Sequence, residues 1–105
     1  MWIVEFSNAA IEDIKKMDNS QRIVVLKAIR KVALNPLPQT EGGYGKPLGN
    51  KAGNDLTGYF KIKFKKIGIR VVYKIVREKD IMRIIVVSTR TDDECYNVAQ
   101  KRIGQ

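Results

Sequence analysis

Histidine is absent from all 105 residues. Its absence excludes a histidine-ligated zinc site, a Ser-His-Asp triad and a histidine general base. Cysteine occurs once, as Cys95. A disulfide framework within the chain and a cysteine-rich metal site are excluded, which fits a reducing, cytoplasmic setting. No unbroken aliphatic run exceeds the four residues of Ile84–Val87, against the roughly 20 that a helix needs to cross a bilayer. No membrane association is expected. The first basic residue is Lys15, with Glu5, Glu12 and Asp13 before it, which is unlike a secretory signal. Acidic residues are also scarce: 11 against 20 Lys and Arg, for a formal net charge of +9.

That excess is unevenly placed. Residues 1–45 carry six bases and five acids, residues 46–90 twelve and three, and residues 91–105 two and three. Nearly all of the surplus therefore lies in the middle of the chain, where it suggests either a polyanion-binding surface or a plain basic one. The length is that of one domain, residues 1–105.

Trp2–Phe6 is β-branched and aromatic and reads as a short strand. Ser7 or Asn8 can cap a helix carrying Ala10, Ile11, Ile14 and Met17 at helical spacing. Asp18-Asn19-Ser20 breaks that helix and caps a second one. In the second helix Val25, Ala28, Ile29, Val32 and Ala33 form one apolar stripe, and Asn35-Pro36 ends it. Residues 35–58 are crowded with glycine and proline and read as a long loop with room for one short extended piece. Phe60, Ile62 and Phe64 then alternate with Lys61, Lys63 and Lys65, and Ile69, Val71, Tyr73 and Ile75 alternate with Arg70, Val72, Lys74 and Val76. Met82–Thr89 is aliphatic on both faces, with Ile84 and Val86 on one and Ile85 and Val87 on the other. Thr91 and Glu94 have capping-box spacing for a last helix reaching about Arg102. The expected fold is α+β in two layers: an N-terminal strand and helical hairpin packed on an antiparallel sheet with a three-strand meander, then a short C-terminal helix.

Three groups of residues carry chemistry. Lys61, Lys63 and Lys65 share one strand face, about 6.6–6.8 Å apart at Cα. Ammonium groups so crowded disfavour one another's charge, the condition under which a lysine can take a proton near neutral pH. The same row also suits a solvated edge that discourages aggregation. Arg70 and Arg90 supply planar donor forks for phosphate. Tyr96 can stack on a base or bond a ribose hydroxyl, or simply pin the last helix to the sheet. Asp92-Asp93-Glu94 reads as helix capping rather than a metal cluster, and Cys95 as a small packing residue. No cofactor and no metal are expected.

Phe60-Lys61-Ile62-Lys63-Phe64-Lys65, Gly68-Ile69-Arg70-Val71-Val72-Tyr73, Val86-Val87-Ser88-Thr89-Arg90 and Glu94-Cys95-Tyr96 together resemble the RelE-type toxins of the RelE/ParE toxin–antitoxin superfamily. The order of elements agrees over most of the chain. The resemblance implies an mRNA endonuclease that enters the ribosomal A site and cuts the codon by metal-independent attack of the ribose 2′-OH. It assigns catalysis to Lys61, Lys63, Arg70, Arg90 and Tyr96, and RNA contact to Lys65 and Lys74. It also implies a cognate acidic antitoxin, with the ribosome and mRNA as further partners. Ser88-Thr89 stand where the family often has Gly followed by Lys or His. The alternatives are a ParE-like inhibitor of DNA gyrase and a nucleic-acid-binding module without catalysis.

Overall fold

The computed structural model describes residues 1–51, 53–89 and 91–103. Strand β1 (Ile3–Phe6) leads into helices α1 (Asn8–Lys15) and α2 (Asn19–Val32). Strands β2 (Lys46–Lys51), β3 (Asn54–Phe64), β4 (Ile69–Val76) and β5 (Ile81–Ser88) follow, and helix α3 (Asp92–Ile103) completes the order. One five-stranded sheet runs β1-β5-β4-β3-β2. Strands β2 to β5 form an antiparallel ladder, while β1 pairs with β5 in parallel and makes the sheet mixed.

The helical hairpin forms where its caps are placed. Ser7 Oγ accepts from Ala10 N at 3.1 Å, and Asp18 Oδ1 accepts from Gln21 N at 2.8 Å. Each bond satisfies a helix-start N–H that has no partner within the helix. The hairpin covers one sheet face through Ala10, Val25 and Ile29, which pack with Phe60, Val71, Tyr73, Met82 and Ile84. Tyr73 is fully buried there; its ring stacks on Phe60 with centroids 5.5 Å apart, and its hydroxyl donates to Pro36 O at 2.9 Å.

The two-layer expectation is corrected to three layers. Leu48, Leu56, Val72, Ile85, Val86, Cys95, Tyr96 and Ala99 form a second buried cluster on the opposite face. A strand that is aliphatic on both sides needs a cover on both sides, and α3 is the second cover. The assignment of faces in β5 changes too. Val72 pairs with Val86 and Tyr73 with Ile84, leaving Ile85 as an extra residue. This β-bulge turns both Ile85 and Val86 toward α3, and Ile84 and Val87 toward the hairpin.

The expected long loop 35–58 is shorter. It ends at Gly45, and β2 and the start of β3 occupy most of the remainder. Proline and glycine are compatible with strand here because β2 is an edge. Pro47 pairs with Phe60, and Gly49, at φ 61°, lies where the register shifts.

Candidate nucleic-acid interface

Strand alternation sends Lys61 and Lys63 of β3 and Arg70 of β4 to the α3 side of the sheet. Lys63 and Arg70 are direct cross-strand partners. Two like charges in that arrangement repel, and the structure supplies a counter-ion from the first turn of α3. Asp92 Oδ2 lies 3.4 Å from Lys63 Nζ, and Asp92 Oδ1 accepts from Arg70 Nε. Partial burial works against ionisation of Asp92, but the bonds and charges of Arg70 and Lys63 outweigh it and hold the carboxyl below its ordinary range. An anion is thus already seated between the two cations. One turn further along α3, Tyr96 Oη accepts from Lys61 Nζ at 3.4 Å. Two lysines of the crowded row are partnered, Lys61 with a phenol and Lys63 with a carboxylate, and the third, Lys65, lies beyond the strand.

Tyr96 is 4% exposed and belongs to the cluster beneath α3. Burial, reinforced by the charge of Asp92, raises its phenol above the ordinary value. Its ring is committed to packing, so a base could stack on it only if α3 moved. The group that it brings to Lys61 is the hydroxyl. Cys95 is fully buried and its thiol is pushed up to about 11 by burial, which suits a packing residue and not a nucleophile.

Of the other sequence candidates, Lys65 lies just past the end of β3 and is exposed in the turn to β4. Lys74 is on the same sheet face as Arg70. It lines a cavity with Tyr59, Arg83, Arg102 and Ile103 near the C-terminal end of α3, whereas Lys61, Lys63 and Arg70 gather at its N-terminal half. Arg90 lies outside the described residues. Asp92 was missed as a site residue because an acid at a helix start is already explained by the helix dipole. The signal that could have found it is the cross-strand pair Lys63 and Arg70, which needs a counter-ion. Thr91 keeps the expected capping role, its Oγ1 accepting from Glu94 N at 3.3 Å.

A mixed sheet held between a helical hairpin and a C-terminal helix, with lysines and an arginine converging under that helix, defines a small α+β domain with a cationic site. The model of the family described as the ParE toxin of type II toxin–antitoxin systems, parDE, matches residues 4–94. The chain belongs to that family and is a RelE-like toxin of a toxin–antitoxin system. It is 26% identical over 102 residues to the mRNA interferase toxin RelE of Escherichia coli K12, covering 97% of each chain. It is 28% identical over 100 residues to a putative RelE-like toxin protein of Escherichia coli, covering 95% of each. Among solved structures, the isolated E. coli RelE toxin superposes with a TM-score of 0.70 at 25% identity, over 98% of this chain and 99% of that one. The intact E. coli RelBE toxin–antitoxin complex matches with a TM-score of 0.65 at 22% identity, over 87% and 99%. No described helix is long and apolar enough to cross a membrane.

Proposed function

We propose that this chain is an endoribonuclease that cuts mRNA at codons in the ribosomal A site. The observation that carries the reading is the convergence of Lys61, Lys63, Arg70 and Tyr96 at the N-terminal half of α3. The relatives named mRNA interferase support it.

The reaction is attack of the ribose 2′-OH on the adjacent phosphorus, with loss of the 5′-oxygen of the next nucleotide. It leaves a 2′,3′-cyclic phosphate and a 5′-OH. Without histidine, the proton passes to another base; in this reading Lys61 takes that role, and the Tyr96 hydroxyl that it touches orients the attacking oxygen. Lys63 and Arg70, already bound to a carboxylate, exchange it for the phosphate and neutralise the charge that builds on the phosphorane. Arg90 steadies the leaving oxygen electrostatically, since a guanidinium is a poor proton donor, and the 5′-oxygen takes its proton from water to become the 5′-OH. The ribosome presents the codon in a reactive geometry. The partner is a cognate acidic antitoxin that covers the basic face and the last helix.

The test is to induce the protein in growing cells and map mRNA 5′ ends for wild type and for Lys61→Ala, Lys63→Ala and Arg90→Ala. Translation-dependent cuts within codons that disappear in the variants are expected. Intact mRNA with persistent toxicity rejects the reading. The ParE family match favours a second reading, inhibition of DNA gyrase. A supercoiling assay decides it, since that activity does not require Lys61 or Lys63 as proton-transfer groups. A third reading is a module that binds nucleic acid and leaves it uncut.

A further inference from the structure

The basic face continues beyond the candidate site, around the edge of the sheet. The pairing of β2 with β3 ends at Lys46 and Lys61, so among the described residues the outer edge of β3 at residues 62–64 faces a groove. That groove holds about 380 Å³, and Lys31 of α2, Tyr44, Lys46, Lys61 and Lys63 line it. Lys61 and Lys63 therefore belong both to the groove and to the candidate site.

Tyr44 is the unusual member. It is an aromatic residue, 47% exposed, on a loop that has been folded tightly against the core. A side chain on Gly43 would run into Leu37 O and one on Gly45 would lie 2.8 Å from Pro36 O and from Tyr73 Oη. Only glycine fits on either side of Tyr44. Tyr44 N donates to Asn35 O at 2.9 Å and Gly45 N to Leu37 O at 2.9 Å. Pro36 is in turn held by the buried Tyr73 hydroxyl. The Tyr44 backbone is therefore fixed while much of its ring remains in solvent. Lys31 Nζ sits 5.8 Å from the ring centroid, a cation–π distance.

We infer that this groove is a second RNA subsite, in which Tyr44 stacks a base of the strand flanking the cut and Lys31 and Lys46 hold its phosphates. An exposed, pre-positioned aromatic among lysines is what single-stranded nucleic acid binds: bases stack on the ring and the cations track the backbone. An acidic peptide uses the lysines and has no need of the ring. The inference rests on the RNA-cutting reading of the adjoining face.

The test titrates wild type, Tyr44→Leu, Tyr44→Phe, Lys31→Gln and Lys46→Gln with a fluorescent 2′-O-methyl oligoribonucleotide at several low salt concentrations. Such an oligomer lacks the attacking hydroxyl, so binding is read independently of cutting. Tyr44→Leu is expected to weaken binding by roughly 5- to 100-fold, with Tyr44→Phe within about twofold of wild type because it keeps the stacking ring. Each lysine substitution is expected to lower the slope of log affinity against log salt by about 0.7. Equal affinity and slope in all variants, or no binding by wild type, overturns the subsite. So does a loss confined to antitoxin binding, which makes the groove a peptide site. A parallel mRNA-cutting assay on programmed ribosomes separates the two ideas. Cutting with unaltered oligomer affinity rejects the subsite alone, and Tyr44-dependent binding without cutting rejects the nuclease alone.

Discussion

A carboxylate that sits between two cations must be displaced or shared when a phosphate arrives, and Asp92 has that position against Lys63 and Arg70. Its side chain is 37% exposed, so its repulsion of an incoming phosphate is that of a nearby charge in water, about 1 kcal/mol. Asp92→Asn is therefore expected to tighten binding of an uncleavable RNA by about fivefold, and the gain should shrink as salt is raised. The same substitution removes a stabilising pair. The carboxyl is held below its ordinary range in the folded chain, so its contribution is present above the unfolded value of about 3.9 and is lost as pH falls through the folded value. At this exposure it is worth at most about 1 kcal/mol. Urea midpoints of wild type and Asp92→Asn should differ at pH 7 and converge as the pH is lowered below about 4. A difference that persists in acid means that the pair stabilises nothing. Lys61, Lys63 and Arg70 were legible in the sequence because alternation along a strand fixes the face of each side chain. Tyr96 was legible in position but not in burial, since a helix residue declares its buried side only when the layer beneath it is known.

Strand β1 has four residues and β5 has eight, so among the described residues the outer edge of β5 beyond Ile84 has no strand beside it. Side chains take over its backbone groups. Asp13 Oδ2 accepts from Val87 N at 3.0 Å, and Arg102 Nη1 donates to Ile85 O at 2.8 Å. The two side chains also pair with each other, Arg102 Nη1 to Asp13 Oδ2 at 2.6 Å and Nη2 to Oδ1 at 2.9 Å. This fork ties α1 to α3 across the sheet edge and so holds the helix that carries Asp92 and Tyr96. Arg102→Leu leaves Asp13 largely buried without its counter-charge, held only by Val87 N, which is expected to cost about 2–3 kcal/mol, below the 3–5 of a fully buried pair. Asp13→Asn combined with Arg102→Leu should cost less than the two singles together, and a double-mutant cycle by urea denaturation measures the difference. Additive losses would mean that the fork is not a unit. The sequence revealed the hairpin, the meander and the last helix, because each has its own periodicity and caps. It concealed the bulge at Ile85, because one inserted residue leaves a run of aliphatic residues looking the same. It allowed a short extended piece in the loop but concealed the place and pairing of β2: the glycines and the proline that serve a twisted edge strand are the residues that ordinarily mark a loop. The Asp13–Arg102 fork joins residues 89 apart in sequence, and no local pattern announces such a pair.

At the scale of the whole molecule, the net charge of +9 becomes a surface with direction. Lys46, Lys61, Lys63 and Arg70 come from three adjacent strands, and Lys31 extends the line onto α2. The bases in residues 46–90 that seemed a bulk surplus thus contribute to a continuous cationic track. The acids Asp92, Asp93 and Glu94 are confined to one helix start, where the dipole uses them. A field of this kind accelerates encounter with a polyanion more than it tightens the final complex. An acidic antitoxin that covers the track should therefore associate rapidly at low ionic strength and slow steeply as salt screens the attraction over about 10 Å at 0.1 M. Stopped-flow association is expected to fall by about tenfold or more between 0.01 and 0.2 M salt, with dissociation changing far less. Lys46→Gln and Lys63→Gln should each flatten that dependence, because each removes one charge from the track. Lys15→Gln, on the exposed side of α1 and outside the track, should leave it nearly unchanged. If the lysines of the track and Lys15 alter the salt dependence equally, the charge surplus acts only through its total, and the cationic track has no part in recognising the partner.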